Sequence, residues 1–297
     1  MARAHEARIV AGPARTLRRP PERIFSNEIV ITPAAMSFNV QMAELWKYRH
    51  LFVALVWRNM RVEFDATRLG AAWAAARPLM FAIVFSMFKS LSDADTRVEL
   101  PYILYVYSGM LLWNYFMDAA TNSAVAVRMD VALLSKVYYP RLLTPLVPTV
   151  SNLLTLLVGL IPLGIMMAWL GVYPGWQFIL LPVAVLPCVM LSLGLGLLVS
   201  SLSIENRDLE RVLAFAITLG LWCSPVLYSP ELIPGPIRDI FHMNPMTGPL
   251  LALRATLFDG IPFPVSDWAY AFASSGVILA CGIWSFRRTE LKLVDRL

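Results

Sequence analysis

The strongest constraint on the fold is a run of 63 residues, positions 142–204, that contains no Asp, Glu, Lys, Arg or His. A buried segment of a soluble domain is far shorter than this. A bilayer core about 30 Å thick is crossed by roughly 20 apolar helical residues, so the run is long enough for two membrane-spanning helices. Segment 171–176, with two Gly, one Pro, Tyr173 and Trp176, predicts the turn between them at the lipid–water boundary.

The composition of the whole chain agrees with an integral membrane protein. Hydrophobic residues make up 58% and charged residues 15%, against about 25% charged residues in soluble domains. The net charge of +5 is concentrated in loops beside apolar segments, which membrane topology explains, and we therefore expect no nucleic-acid partner. The three Cys and three His stand singly, so we expect no metal site and no disulfide framework.

The sequence predicts four regions. Residues 1–42 form a flexible, basic cytoplasmic tail. Residues 43–69 carry an apolar stripe beside a basic one, which favours an amphipathic helix lying at the membrane interface. A solvated helix packed on a partner protein is the alternative. A six-span transmembrane domain then covers 70–288, and 289–297 form a cytoplasmic C-terminal tail.

The predicted fold class is an all-α integral membrane protein with six transmembrane helices, an N-terminal interfacial amphipathic helix and outer re-entrant helices before the last span. The apolar segments fall at about 70–91, 102–125, 142–170, 177–204, 212–228 and 268–286. Region 229–265 is rich in Pro and Gly and its apolar run is too short to cross, so we expect it to be re-entrant. Lys and Arg are commoner in the loops assigned to the cytoplasm, which places both termini there.

The chain lacks a nucleotide-binding loop of the common type. No Gly-Lys dipeptide occurs in it, so a G-x-x-x-x-G-K-[ST] loop is absent and ATP hydrolysis of that kind would need another chain. Segment 128–141 mixes charges with an apolar patch and stops at Pro140. We interpret it as a docking element for such a partner, although a plain connecting loop is the alternative.

Aromatic side chains recur on the first two predicted spans and near the fifth. Sugar rings stack on aromatic side chains, and Tyr and Trp also offer hydrogen bonds to hydroxyl groups. A glycan path lined in this way is one interpretation, and lipid-facing or helix-packing aromatics are the other. The predicted substrate-path residues are Trp73, Phe81, Phe85, Phe88, Tyr102, Tyr105, Trp113, Phe116 and Trp222.

Two charged residues lie inside apolar segments. Arg77 is in the first predicted span and Asp118 is in the second. Charges at such depth are costly and usually face protein or a wet cavity, which suggests a function for both. Arg77 is also close enough to the start of its span to extend its guanidinium to the headgroups.

Five motifs in register resemble one family. They are 69–73 (LGAAW) with Pro78, 134–141 (LSKVYYPR), 206–208 (NRD), 224–228 (SPVLY), and 244–248 (NPMTG) followed by Arg254. Together they resemble the polysaccharide-export permeases of the ABC-2 transporter type, from about Leu45 to the C-terminus. The residues before that point fall outside the resemblance.

The resemblance implies a homodimer in the bacterial inner membrane, bound by two ATP-binding ABC subunits. ATP and Mg²⁺ would bind to those subunits, and no cofactor would bind to this chain. In that family the interfacial helix and the first cytoplasmic loop contact the ATPase. The implied coupling residues are Arg58, Arg61, Arg68, Lys136, Tyr138, Pro140 and Arg141.

The function implied is export of a lipid-linked polysaccharide such as O-antigen, capsule or teichoic acid. Export of a small lipid or drug-like molecule by the same architecture is the alternative. A membrane-embedded glycosyl- or acyltransferase would need a general base and an acceptor site. The sequence offers only Asp118 and the group Glu205, Asp208 and Glu210, so we expect a transport subunit and not an enzyme.

Overall fold

The computed structural model describes residues 46–65, 68, 70, 72–92, 100–130, 139–203, 206–232 and 235–296, without the side chains of 236, 237 and 290–296. Within these ranges the chain is helical and contains no strand. The helices are α1 (Arg49–Asp65), α2 (Ala72–Ser92), α3 (Tyr102–Met129), α4 (Leu143–Trp169), α5 (Leu181–Leu202), α6 (Asp208–Gly220), α7 (Pro236–His242), α8 (Thr247–Leu257) and α9 (Val265–Arg296). Short 3₁₀ helices cover Trp176–Leu180 and Pro230–Leu232.

Four helical segments in the described part of the chain are long and apolar enough to cross a membrane. They are Ala72–Leu91, Leu143–Trp169, Trp176–Leu202 and Val265–Thr289. They confirm the all-α membrane fold class and match predicted spans one, three, four and six. The total of six spans stays a prediction, since α3 and α6 do not meet the same criterion.

Helix α3 lies at the centre of the protomer. Its 28 residues correspond to about 42 Å, enough to cross a bilayer. It packs against α2, α4, α5, α6 and α8, so even its polar residues are enclosed. The Tyr107 hydroxyl donates to the Gly159 carbonyl at 2.9 Å, and the Ser123 hydroxyl donates to the Pro145 carbonyl at 2.8 Å. The polar side chains that lower its hydropathy therefore stabilise contacts between helices.

Helices α5 and α9 approach each other closely through glycine. A Cβ added at Gly194 would lie 2.8 Å from the Leu279 backbone, and one added at Gly282 would lie 2.5 Å from the Gly194 carbonyl oxygen. Small residues permit such backbone contact between membrane helices. This contact positions the last long helix against the core.

The predicted fifth span ends earlier than the sequence suggested. A continuous helix near 212–228 was expected, but α6 stops at Gly220 and turns follow through Tyr228. Pro225 contributes to the difference, because its ring would clash with the carbonyl four residues earlier and it lacks an N–H to continue the helix. Proline alone does not end a helix in this protein, since Pro148 and Pro162 lie inside α4. The 13 residues of α6 extend about 20 Å, less than a bilayer core.

The region predicted to be re-entrant contains two short helices, α7 and α8. All of α8 except Leu251 is buried, including the charged residue Arg254. Its 11 residues span about 16 Å, too little to cross the membrane. A re-entrant position on the outer side remains a prediction.

Helix α1 packs on the start of α4 with one face and exposes another. Leu55 and Val56 are buried against Tyr139, Leu143 and Val147. The apolar side chains on the other side of α1, Val53, Trp57 and Val62, are exposed, as is Trp46 just before the helix. This distribution suits a helix that contacts both protein and the membrane interface.

Candidate functional site

A charged surface forms where α1, the end of α3 and the start of α6 meet. Arg58 Nη2 lies 3.0 Å from Asp130 Oδ1, which links α1 to the residue that caps α3. Arg128 Nε donates to Glu210 Oε1 at 3.2 Å, which links α3 to α6. The end of α3 therefore connects both neighbouring helices through ion pairs.

Segment 139–147 completes this surface. Tyr139 is buried against Leu55 and Val56, and its hydroxyl lies 3.3 Å from Thr144 Oγ1. Burial raises the pKa of the Tyr139 hydroxyl, and the hydrogen bond with Thr144 opposes this effect. Helix α1 and segment 139–147 thus present one continuous surface, which we call the coupling surface.

The predicted coupling residues are distributed around the coupling surface. Arg58 forms an ion pair with Asp130. The Arg61 guanidinium carbon lies 6.0 Å from the centroid of the Trp57 ring. Arg68 is exposed beyond the end of α1, and Pro140 and Arg141 lead into α4. Lys136 and Tyr138 lie outside the described residues. Their role in contacting an ATP-binding subunit stays a prediction.

Three of the predicted substrate-path residues form one patch, the aromatic face, which consists of Phe81, Phe85 and Trp222. The rings of Phe81 and Phe85 are stacked with centroids 6.3 Å apart. Phe85 meets Trp222 edge to face, also at 6.3 Å. Phe81 and Trp222 are exposed. Helix α2 and the turn after α6 therefore share an accessible aromatic surface.

The remaining predicted path residues occupy different environments. Trp73 and Phe88 are exposed on α2. Trp113 and Phe116 are 3% and 4% exposed and pack edge to face inside the protomer core. They are therefore not accessible at the surface of this conformation. The Tyr102 hydroxyl donates to the Leu227 carbonyl at 2.8 Å, so this residue also has a structural contact.

Arg254 holds the turn that carries Trp222. Its guanidinium is buried on α8 and donates to the carbonyls of Pro225, Val226 and Tyr105 at 2.6, 2.9 and 3.2 Å. The Tyr105 hydroxyl donates to the Tyr228 carbonyl at 3.0 Å. The carbonyls of Pro225, Val226 and Tyr228 lie in the non-helical segment after Gly220, so these bonds pair backbone acceptors that a continued helix would have paired internally.

Asn244 holds the same turn from the other side. Its Nδ2 donates to the Cys223 carbonyl at 3.0 Å and lies 2.9 Å from Ser224 Oγ. The 224–228 and 244–248 motifs of the sequence therefore contact each other. Neither Arg254 nor Asn244 is among the site residues predicted from the sequence. A cation within an apolar run, as at Arg254, is the signal that indicates such a role.

The two charges predicted inside apolar segments are paired. Arg77 Nη1 on α2 lies 2.9 Å from Asp118 Oδ2 and 3.2 Å from Asp118 Oδ1 on α3. In this structure Arg77 therefore forms an ion pair with Asp118 on the neighbouring helix, an interaction within the protein that extension towards the headgroups alone would not provide.

Named relatives match most of the chain. An O-antigen export system permease protein RfbA of Klebsiella pneumoniae is 28% identical over 217 residues, which cover 71% of this chain and 81% of that protein. A second RfbA of the same organism is 26% identical over 212 residues, with the same shares covered. RfbA of Myxococcus xanthus is 26% identical over 252 residues, covering 83% of this chain and 96% of that protein.

The sequence model of one family, described as ABC-2 type transporter, matches residues 50–258. The matched region begins in α1 and ends just after α8, so it includes the coupling surface and the aromatic face. Such a family places the chain in a membrane as a multi-pass transport subunit with an ATP-binding ABC partner. The match covers more than two thirds of the sequence, and the chain therefore belongs to the ABC-2 type transporter family.

Proposed function

We propose that this chain is the permease subunit of an ATP-driven exporter that moves a lipid-linked polysaccharide, such as O-antigen or capsule, across the bacterial cytoplasmic membrane. Three relatives that carry the name O-antigen export permease support the substrate class. The observation that carries the proposal is the aromatic face of Phe81, Phe85 and Trp222. Stacked rings contact sugars without requiring one particular sugar sequence.

Two copies of the chain and two ATP-binding subunits form the proposed exporter. The partner subunits bind ATP and Mg²⁺ and contact the coupling surface. Both termini of the permease lie in the cytoplasm. Since α1 and segment 139–147 are packed together through Leu55, Val56 and Tyr139, they respond as one body to movement of a partner.

Ion pairs offer a physical connection from the coupling surface to the aromatic face. Movement of α1 acts on the end of α3 through Arg58 and Asp130. The pair of Arg128 and Glu210 passes this movement to the start of α6. Helix α6 leads within two residues to Trp222, which contacts Phe85 on α2. ATP-driven displacement of α6 therefore separates or joins the two halves of the aromatic face.

A cell-based export assay tests the substrate class. Phe85→Ala and Trp222→Ala, singly and together, are expressed with the ATP-binding subunit in a strain lacking its own permease, and surface glycan is quantified. We expect each variant to reduce export and the double variant to reduce it most. Trp169→Ala is the matched control, because Trp169 is 88% exposed at the end of α4 and is not part of the ring contacts that form the aromatic face.

The competing function is export of a small lipid or drug-like molecule. Such a substrate needs no extended aromatic surface, so the double variant would retain efflux of a small amphiphile. The proposal fails if Phe85→Ala, Trp222→Ala and the control Trp169→Ala all give the wild-type amount of surface glycan. In that case the aromatic face has no part in glycan export.

A further inference from the structure

A cavity of about 410 Å³ with several charged and polar side chains in an otherwise apolar wall lies between α1, α2, α3 and α4, apart from the aromatic face. This volume is in the range of small-ligand sites. Its wall combines charged and neutral polar side chains with aromatic ones. The residues used below are Glu63, Trp73, Arg77, Asn114 and Asp118.

The charges around the cavity are unbalanced. Arg77 uses Nη1 for both oxygens of Asp118, so one guanidinium compensates one carboxylate. Glu63 has no ion-pair partner within 4 Å among the described residues. Burial raises the pKa of Glu63, and the negative charge of Asp118 raises this pKa further. The positive charge of Arg77 lowers it in part. When it is ionised, Glu63 gives the cavity one excess negative charge, which a cation would neutralise.

The cavity also holds unused hydrogen-bond donors. Asn114 Nδ2 is buried and has no hydrogen-bond partner among the described residues. Both bonds of Arg77 to Asp118 come from Nη1, and Nη2 and Nε make no hydrogen bond to another described residue. These donors suit an anionic oxygen such as that of a phosphodiester. The cavity therefore offers an acceptor for a cation and, on another wall, donors for an anion.

The cavity lies near the lipid–water boundary of one leaflet, within reach of its headgroups. Arg77 lies five residues after the start of α2 at Ala72, which is about 8 Å along the helix. The walls are open, because Trp73 is 44% exposed and the Arg77 side chain is 46% exposed. Helix α1, with its exposed Trp57 and Val53, supplies Glu63 from the membrane surface.

We propose that this cavity binds the headgroup of a phospholipid that carries a primary amine, such as phosphatidylethanolamine, with the ammonium against Glu63 and the phosphate against Arg77 and Asn114. A primary ammonium has three N–H donors for the carboxylates, whereas a choline headgroup has none. An anionic glycerol headgroup would bring a negative charge next to two carboxylates and one guanidinium. The lipid would bridge α1 to α2 and α3.

This proposal does not depend on the identity of the exported substrate. Native mass spectrometry of the purified full-length permease, incubated with phosphatidylethanolamine, its mono- and dimethylated forms, phosphatidylcholine and phosphatidylglycerol, measures the retained lipid. We expect retention to fall stepwise with methylation. The total difference between the amine and choline lipids should be about tenfold, the equivalent of one charge-assisted hydrogen bond.

Glu63→Gln removes the charge and keeps the size of the side chain. We expect it to reduce retention of the amine lipid to the amount seen for phosphatidylcholine. Asp65→Asn is the matched control, because Asp65 is an exposed carboxylate two residues away on α1 that does not line the cavity. It should retain the lipid as the wild type does.

Two results would overturn the proposal. One is equal retention of phosphatidylethanolamine and phosphatidylcholine by the wild-type chain, a comparison that needs no variant to fold. The other is an equal loss in Asp65→Asn and Glu63→Gln, which would show a general effect of charge on α1.

Discussion

The guanidinium carbon of Arg254 lies 3.4 Å from the centroid of the Tyr105 ring, inside the protomer. Tyr105 belongs to the central helix α3 and Arg254 to the short buried helix α8, so this contact joins the two elements. The same guanidinium holds the carbonyls that follow the end of α6. The position of Trp222, and with it the aromatic face, depends on this arrangement.

Arg254→Ala should be among the most destabilising substitutions in the chain. It removes the guanidinium that donates to the carbonyls of Pro225, Val226 and Tyr105 and opens space beside the Tyr105 ring. We expect a loss of about 3 kcal/mol, as when one partner of a buried charged network is removed, measured as a lower midpoint of thermal unfolding in detergent. Arg254→Lys should recover only part of it, because an ammonium lacks the planar fork.

Arg238→Ala is the control for this prediction. Arg238 lies on α7 and is exposed, so its truncation should change the free energy of unfolding by no more than about 0.5 kcal/mol. Equal stability of Arg254→Ala and Arg238→Ala would contradict the structural role assigned to Arg254.

Gly194→Ala should weaken the packing of α5 on α9. The new Cβ would lie 2.8 Å from the Leu279 backbone, and the two helices would have to separate. We expect a cost of about 1–3 kcal/mol, typical of overpacking. Gly164→Ala on α4 is the matched control, because no atom lies within 4 Å of its added Cβ. If both substitutions have the same effect in thermal unfolding, the close contact of α5 and α9 is not important for stability.

Reversal of one ion pair tests the connection between α3 and α6. Arg128→Glu alone places a carboxylate beside Glu210 and should lower the ATP hydrolysis rate of the assembled complex. Glu210→Arg alone should do the same. The double variant restores opposite charges, so we expect it to recover more activity than either single change. A double variant no better than the worse single variant would indicate that the pair does not couple the two helices.

The stability of the chain should depend on pH through Glu63. Its pKa is raised above the ordinary value of 4.5, so the folded state favours the protonated carboxyl. The resulting stabilisation is present below pH 4.5 and is lost as the pH rises through the higher folded-state value. In detergent without amine lipids, Glu63→Gln should therefore gain stability relative to the wild type at pH 7 but not at pH 4. A difference between the two proteins that is independent of pH would contradict this.

The sequence was sufficient to predict the spans that have a strong apolar signal. The described part of the uncharged run, 142–203, contains two long helical segments with a break near Gly171. The end of α6 was harder to predict, because the apolar character of 221–228 hides the effect of Pro225. Only the carbonyl acceptors in that turn and the donors of Arg254 and Asn244 explain why a non-helical segment is stable there.

The candidate sites were predictable in part. Arg77 and Asp118 were identified by their charge in apolar segments, but their pairing depends on the packing of α2 on α3, which spacing along the chain does not give. Aromatic periodicity grouped Phe85 with Trp113, although one is on the aromatic face and the other is in the core. Glu63 was not identified from the sequence, because it is one of several charged residues in 43–69. Only the folded structure shows that it lines the cavity.

Transport in reconstituted vesicles tests the central claim most directly. Vesicles would contain the permease, its ATP-binding subunit and a fluorescently labelled lipid-linked glycan, and the measurement is the amount of glycan that reaches the opposite leaflet after ATP is added. We predict ATP-dependent movement that requires both subunits and falls in the double variant of Phe85→Ala and Trp222→Ala. An intact complex that hydrolyses ATP and moves a small amphiphile, but leaves the glycan in its original leaflet, would contradict polysaccharide export.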